Sequence, residues 1–164
     1  MVDVVLFAWG HTLATWALDD EPREATRRLG STTHALLEAL RKRGLSLGVV
    51  SNASDPPALL RGELAESGIA ERIDYAVFSS EVGRRKPGAE IFERALEALG
   101  VRAEAALFVG DRLYEDVRGA SELGMTTVQA LWFRADDHPD GVEPDYQAFT
   151  QMDVLNVVRR LNGE

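Results

Sequence analysis

Five short, almost unbroken apolar runs alternate with longer amphipathic stretches, and this alternation constrains the fold more than any other feature. The runs are VDVVLFAW (2–9), LSLGVVS (45–51), YAVFSS (75–80), ALFVGD (106–111) and MTTVQALW (125–132). Each has strand length, and most are rich in β-branched residues and bounded by Gly, Asn or Asp. Between them, Ser31–Arg43 sets Leu36, Leu37 and Leu40 on one helical face and stops at Gly44. A second helix, opened by Pro87, aligns Ile91, Phe92, Ala95, Leu96 and Leu99 before Gly100. Leu113, Val117, Ala120 and Leu123 recur at helical spacing before Gly124, and residues 151–162 align Val154, Leu155, Val158 and Leu161. A strand that is apolar on both faces has no solvent side and needs a covering layer above and below. The expectation is an α/β fold, a doubly wound parallel sheet in three layers, with residues 1–164 as a single domain.

Composition excludes several function classes. The formal net charge is −9 and the longest basic runs are Arg41-Lys42-Arg43 and Arg84-Arg85-Lys86, a balance that repels phosphate backbones and argues against nucleic acid as a partner. With no cysteine there is no disulfide, thiol chemistry or Cys-based metal site. The apolar runs are too short to cross a bilayer, and the N-terminal residues lack a basic region or cleavage site, so the expected location is cytoplasmic. Arginine outnumbers lysine sixteen to two, a usage associated with a GC-rich bacterium.

Ligands of doubly wound sheets sit in the crevice beyond the carboxyl ends of the strands. That directs attention to Ala8–Leu13, Ser51-Asn52, Ser79–Lys86, Gly110–Asp116 and Trp132–Asp137. Asp111 ends the fourth run and Asp116 follows five residues later, a spacing at which both carboxylates can face one pocket and hold a hard cation such as Mg²⁺. The same two residues also suit a helix cap and a first-turn acid. Ser51 and Asn52 offer a hydroxyl and backbone N–H groups to an anion, and are equally ordinary turn chemistry. Lys86, ahead of a proline, is either an anion-holding cation or a solvated loop charge.

Taken together, Ser51, Lys86-Pro87 and Gly110-Asp111 with Asp116 resemble the second, third and fourth motifs of the haloacid dehalogenase-like (HAD) hydrolase superfamily. The likeness runs through SSEVGRRKPGAEIFERALEALGV, ALFVGDRLYEDVRGASELGMTTV and the closing EPDYQAFTQMDVLNVVRRL, which are similar to segments of that family's small-molecule phosphatases. The resemblance implies a Rossmannoid fold and Mg²⁺-dependent hydrolysis of phosphomonoesters through an aspartyl-phosphate. One aspartate attacks phosphorus and a second serves as acid and base. Magnesium bridges the nucleophile and the fourth-motif acid, while lysine and a hydroxyl hold the phosphoryl oxygens. Carried onto this chain, the phosphate-binding residues are Ser51, Asn52 and Lys86, and the metal-binding residues are Asp111 and Asp116. The first motif departs from the pattern. In FAWGHTL, Phe7, Thr12 and Leu13 match, but the nucleophile position is Ala8, the acid/base position is Gly10, and the usual glycine is His11.

Loss of a catalytic nucleophile costs about 10⁶ in kcat in a serine protease, or about 8 kcal/mol. The expectation is therefore a phosphatase fold without phosphatase activity, binding a small phosphorylated ligand or a protein partner. Mg²⁺ should bind weakly at Asp111 and Asp116, and the competing arrangement is Lys86 paired directly with Asp111. Two rival readings stand beside this one: a slow Mg²⁺-dependent phosphohydrolase using His11 or a metal-bound water, and an inert structural or dimerisation module. His11 is also read as an exposed or capping histidine. Residues 14–30 form a minimal insertion at the usual cap site, with a short helix expected around Glu21–Leu29, so the pocket should be open and a homo-oligomer could cover it. Trp9, Trp16, Trp132 and Phe133 lie at the same end, as core packing or, where exposed, as a partner patch. The acidic segment ADDHPDGVEPD (135–145) reads as a solvated loop.

Overall fold

A computed structural model describes residues 1–16, 27–136 and 141–164. In chain order, β1 (Val4–Phe7) leads into a two-stranded antiparallel ribbon, β2 (Ala14–Trp16) and β3 (Arg27–Leu29). Then follow α1 (Thr33–Lys42), β4 (Ser46–Ser51), α2 (Pro57–Glu66), β5 (Tyr75–Phe78), α3 (Ser79–Val82), α4 (Ala89–Leu99) and β6 (Ala106–Gly110). A π-helical segment, Leu113–Arg118, runs into α5 (Gly119–Glu122), and β7 (Thr126–Ala130), β8 (Tyr146–Ala148) and α6 (Gln151–Leu161) complete the order. Among the described residues no helix is long and apolar enough to cross a membrane.

The six strands outside the ribbon form one sheet in the order β5-β4-β1-β6-β7-β8, with every neighbouring pair parallel. Strand β1 is central, with Phe7 in register with Val49 on one side and Val109 on the other. From β1 the chain first winds outward through β4 and β5, then returns across β1 to β6, β7 and β8. The crevice at such a reversal lies at the carboxyl ends of the central strands, which places the residues after β1, β4 and β6 side by side.

Alternation along each strand sends successive side chains to opposite faces. On one face Val5, Phe7, Val49 and Val109 pack with Leu36, Leu37 and Leu40 of α1, Leu60 and Leu64 of α2, and Val154 and Val158 of α6. On the other, Val4, Leu6, Val50 and Phe108 pack with Ile91, Phe92 and Ala95 of α4 and Ala120 of α5. The three expected layers are thus present. Phe92 meets Phe108 edge to face, with centroids 5.1 Å apart. A Cβ on Gly119 would come within 2.6 Å of the Phe92 ring, so only glycine lets α5 start this close to α4.

Three local expectations need correction. Residues 27–29, expected to close a short helix, are strand β3, with Ala14 opposite Leu29 and Trp16 opposite Arg27. The cause is closure of the insertion's stems: Gly30 N–H and the Thr33 hydroxyl both donate to the Leu13 carbonyl, at 3.0 and 2.9 Å. The stems then run side by side and pair their backbone groups; residues 21–26 lie outside the described residues. Ser79 and Ser80 begin α3 instead of ending β5, because the Glu81 carboxylate turns back to accept from Phe78 N–H at 3.1 Å and caps the turn. Pro87 precedes the helix, whose first residue is Ala89, while Gly100 ends it in the left-handed conformation (φ 65°) as expected.

Truncating Phe92 to alanine removes a fully buried ring and its partner contact. The expected loss is about 3–5 kcal/mol, seen as a lower denaturation midpoint with an unchanged dependence on denaturant concentration.

Candidate functional site

The loop after β1 makes a tight turn. Ala8 continues the strand ladder, its N–H donating to Val109 O at 3.0 Å, and its methyl group is buried. The carbonyl of Trp9 then accepts from both Leu13 and Ala14 N–H, at 3.1 and 3.2 Å. His11 N–H donates to Ala14 O at 2.6 Å, and His11 is the single non-glycine with positive φ (57°) among the described residues. Its Nδ1 lies 3.5 Å from the Thr15 hydroxyl. A Cβ at Gly10 would meet nothing within 4 Å, so the loop leaves open space there.

Beside this loop lies a buried ion pair. Lys86 Nζ sits 2.5 Å from Asp116 Oδ1 and donates to Val50 O at 2.9 Å; both side chains are almost fully buried. The other Asp116 oxygen accepts from Arg112 N–H at 3.1 Å. Lys86 is held from behind by Asn52, whose Oδ1 accepts from Lys86 N–H at 2.8 Å and whose Nδ2 donates to Lys86 O at 3.1 Å. Asn52 therefore positions the lysine's backbone with both ends of its amide. A Cβ at Gly110 would fall 2.5 Å from Asp116 Cγ, so glycine is what lets Asp116 fold back over the end of β6.

Asp111 forms a separate pair. Arg134 Nε donates to its Oδ2 at 2.6 Å, and the Thr12 hydroxyl lies 3.5 Å from Oδ1. Burial pushes the Asp111 carboxyl above the usual carboxylate range, and the neighbouring Asp116 charge adds to this; the hydrogen bond and charge of Arg134 pull the other way. The expected Lys86–Asp111 pair is thus replaced by two pairs, Lys86–Asp116 and Arg134–Asp111. The π-helical segment turns Asp116 toward the lysine and leaves Asp111 to the loop after β7.

Arg134 was not visible as a site residue from its type, although it falls in the strand-end segment 132–137. Trp132 Nε1 donates to Thr12 O at 2.8 Å, tying this loop to the one after β1. Asp136 anchors the loop's far side, accepting from Leu113 N–H at 2.8 Å through Oδ2 and from Gln129 Nε2 at 2.9 Å through its carbonyl. Asp145 likewise accepts from Thr127 N–H at 2.8 Å. Two acids of the expected solvated loop are thus structural, because each satisfies a backbone N–H near the sheet. Trp9 is fully buried, with its indole N–H 3.3 Å from Glu63, and Trp132 and Phe133 are half-buried, so these rings form no exposed patch. The side chain of Trp16 lies outside the described residues.

The resulting cleft has a volume of about 180 Å³ and brings together Ala8, Gly10, His11, Ser51, Asn52, Lys86 and Asp116. Arg85, Arg112, Glu115 and Arg134 complete its walls, and Asp111 lies beneath Arg134, 2% exposed. Four cationic side chains against two lining carboxylates make it locally positive in an acidic chain. The donor set does not fit a magnesium ion. Asp111 carries Arg134, Asp116 carries Lys86, and Ala8 has no oxygen to offer. Among the described residues no three His, Asp or Glu side chains gather around one point.

Residues 19–124 match the family model described as haloacid dehalogenase-like hydrolase, a match that begins beyond Ala8–Leu13. The chain is 37% identical over 129 residues to glyceraldehyde 3-phosphate phosphatase of Methanopyrus kandleri, covering 76% of this chain and 54% of that protein. It is 38% identical over 109 residues to phosphoserine phosphatase of Thermus thermophilus, covering 66% and 42%. The chain spans about half the length of the curated relatives it matches. Among solved structures, a HAD phosphatase of Thermococcus onnurineus superposes with TM-score 0.70 at 32% identity, covering 79% of this chain and 58% of that one. A protein of Listeria monocytogenes serotype 4b superposes with TM-score 0.86 at 22% identity over 99% and 100% of the two chains, a likeness of fold alone.

Two stability measurements check this geometry. Lys86→Met leaves the Asp116 carboxylate buried without its cation, and the expected loss is about 3–5 kcal/mol in chemical denaturation. Asp111 behaves oppositely. Its raised folded-state pKa means that the ionised form costs stability above that pKa, and the cost vanishes as pH falls below the unfolded-state value. Asp111→Asn is therefore expected to melt above wild type at neutral pH, with the gap closing as the pH drops through the carboxylate range.

Proposed function

The chain belongs to the haloacid dehalogenase-like hydrolase family, and from that premise we propose that its cleft binds a phosphorylated ligand without hydrolysing it. One observation carries the reading: groups suited to hold a phosphate stand intact beside Ala8 and Gly10, where the reacting acids would be. An ammonium has three donors; Val50 O and Asp116 use two of those on Lys86, leaving one for an anion oxygen. Ser51, Arg112 and Arg85 line the same space. Relatives named for glyceraldehyde 3-phosphate and phosphoserine support a small phosphomonoester as the ligand, with a phosphorylated protein segment as the alternative in this open cleft.

The methyl group of Ala8 cannot attack phosphorus, and Gly10 cannot move a proton to or from a leaving oxygen. His11 lines the cleft and brings a side chain of nucleophilic type to the β1 loop, which motivates a second reading as a slow hydrolase. Its left-handed backbone and its contact with Thr15 bind it into the turn, so the non-hydrolytic reading is preferred.

An aryl phosphate assay with and without Mg²⁺ separates the two. Wild type, His11→Ala and Asp111→Ala are all expected to show no turnover above buffer; turnover present in wild type and lost in both variants would establish His11-dependent hydrolysis. Inorganic phosphate at about a hundred times its Kd should stabilise the protein by about 2.7 kcal/mol, a rise of several degrees in Tm. A Tm that phosphate leaves unmoved would make the fold an inert structural module.

A further inference from the structure

We propose that Arg134 takes the place of a divalent metal, so that the cleft binds a phosphate dianion with a protein cation as its only counter-charge at Asp111. This rests on the phosphate-binding reading above and specifies how the anion is held. The Arg134 side chain is 36% exposed while the carboxylate it meets is 2% exposed, so the guanidinium bridges from a buried acid to the cleft. Only its Nε is engaged among the described residues, at 2.6 Å from Asp111 Oδ2. The two terminal nitrogens remain for a ligand. A guanidinium presents its donors in a fixed plane that matches two oxygens of a phosphate at once.

The surrounding contacts hold this cation in advance of binding. Trp132 is fastened to Thr12 O on one side of Arg134, and Asp136 is fastened to Leu113 N–H and Gln129 on the other. The loop is thus pinned two residues to either side, and a preorganised donor loses little freedom when the ligand arrives. A surface ion pair would have no need of this support. A metal ion at Asp111 would have to displace Arg134, and it would find a methyl group and no oxygen ligand at Ala8.

The ligand class that follows is a phosphate monoester dianion, met by Arg134 and Lys86, with its organic part leaving the cleft past Arg85 and Arg112. Isothermal titration with inorganic phosphate, in chelator and in excess Mg²⁺, tests the assignment on wild type, Arg134→Gln, Arg134→Lys and Asp111→Asn. Wild type is expected to bind equally in both buffers. Arg134→Gln should weaken binding in chelator roughly tenfold to a hundredfold, with Arg134→Lys in between. Asp111→Asn should bind more tightly than wild type, because it frees the guanidinium and removes a negative charge. Where Arg134→Gln fails to fold by circular dichroism, the lysine and asparagine variants decide. Phosphate binding that requires Mg²⁺ and is lost in Asp111→Asn would overturn the assignment, making Asp111 a metal ligand, and would leave the phosphate-binding reading standing. No phosphate binding in any condition would overturn both.

Discussion

The contact between Lys86 and Asp116 organises this end of the molecule. A charge pair buried to this degree is costly unless the donors and acceptors around it are met, and here the surroundings meet all but one donor of the ammonium. Val50 at the end of β4 supplies a carbonyl to the ammonium, Arg112 supplies an N–H to the carboxylate, and Asn52 clamps the lysine's own backbone. Gly110 leaves room for the carboxylate to fold back over β6. Three segments far apart in the chain are thereby fixed against one another, and the cleft takes its shape from them.

That rigid frame does not depend on the residues that follow β1. Neither Ala8 nor Gly10 takes part in the network: one is a buried methyl on the strand ladder and the other faces open space. Lys86 and Asp116 are groups the fold itself needs, since removing either strands a buried charge. Persistence of these two is therefore a weaker sign of retained chemistry than it first looks, and the stronger sign is the local excess of cations around them. Arg85 and Arg112 balance no buried carboxylate in that way, and with Arg134, the partner of Asp111, they line one small cleft.

The layered sheet was legible from the chain alone because a strand buried on both faces must be apolar throughout, and such runs are hard to mistake. Helix ends marked by Gly44 and Gly100 were equally plain, since both adopt the left-handed conformation that glycine tolerates. The ribbon of β2 and β3 was not legible: its strands have three residues each and exist because distant backbone groups close the stems around Leu13. At the site, the residue types at Ser51, Lys86, Asp111 and Asp116 could be read, but not their partners. Sequence spacing cannot say which of two acids turns toward a lysine; the π-helical turn decides it. Arg134 carried no signal beyond its place after a strand, because a lone arginine in a loop belongs to no pattern. At His11 the backbone has a φ of 57°, a conformation that glycine adopts most readily.

The fastening of Trp132 to the loop after β1 has an optical consequence. Its indole donates to Thr12 O two residues from Arg134, while Trp9 is buried in the cleft wall directly after Ala8. Two native fluorophores therefore stand in different surroundings on the two loops that meet at the cleft, one half in water and one sealed from it. Any change in how those loops seat against each other alters the environment of Trp132 while leaving Trp9 as a dry reference. The protein thus carries its own emission gauge for the state of its cleft, with no label attached.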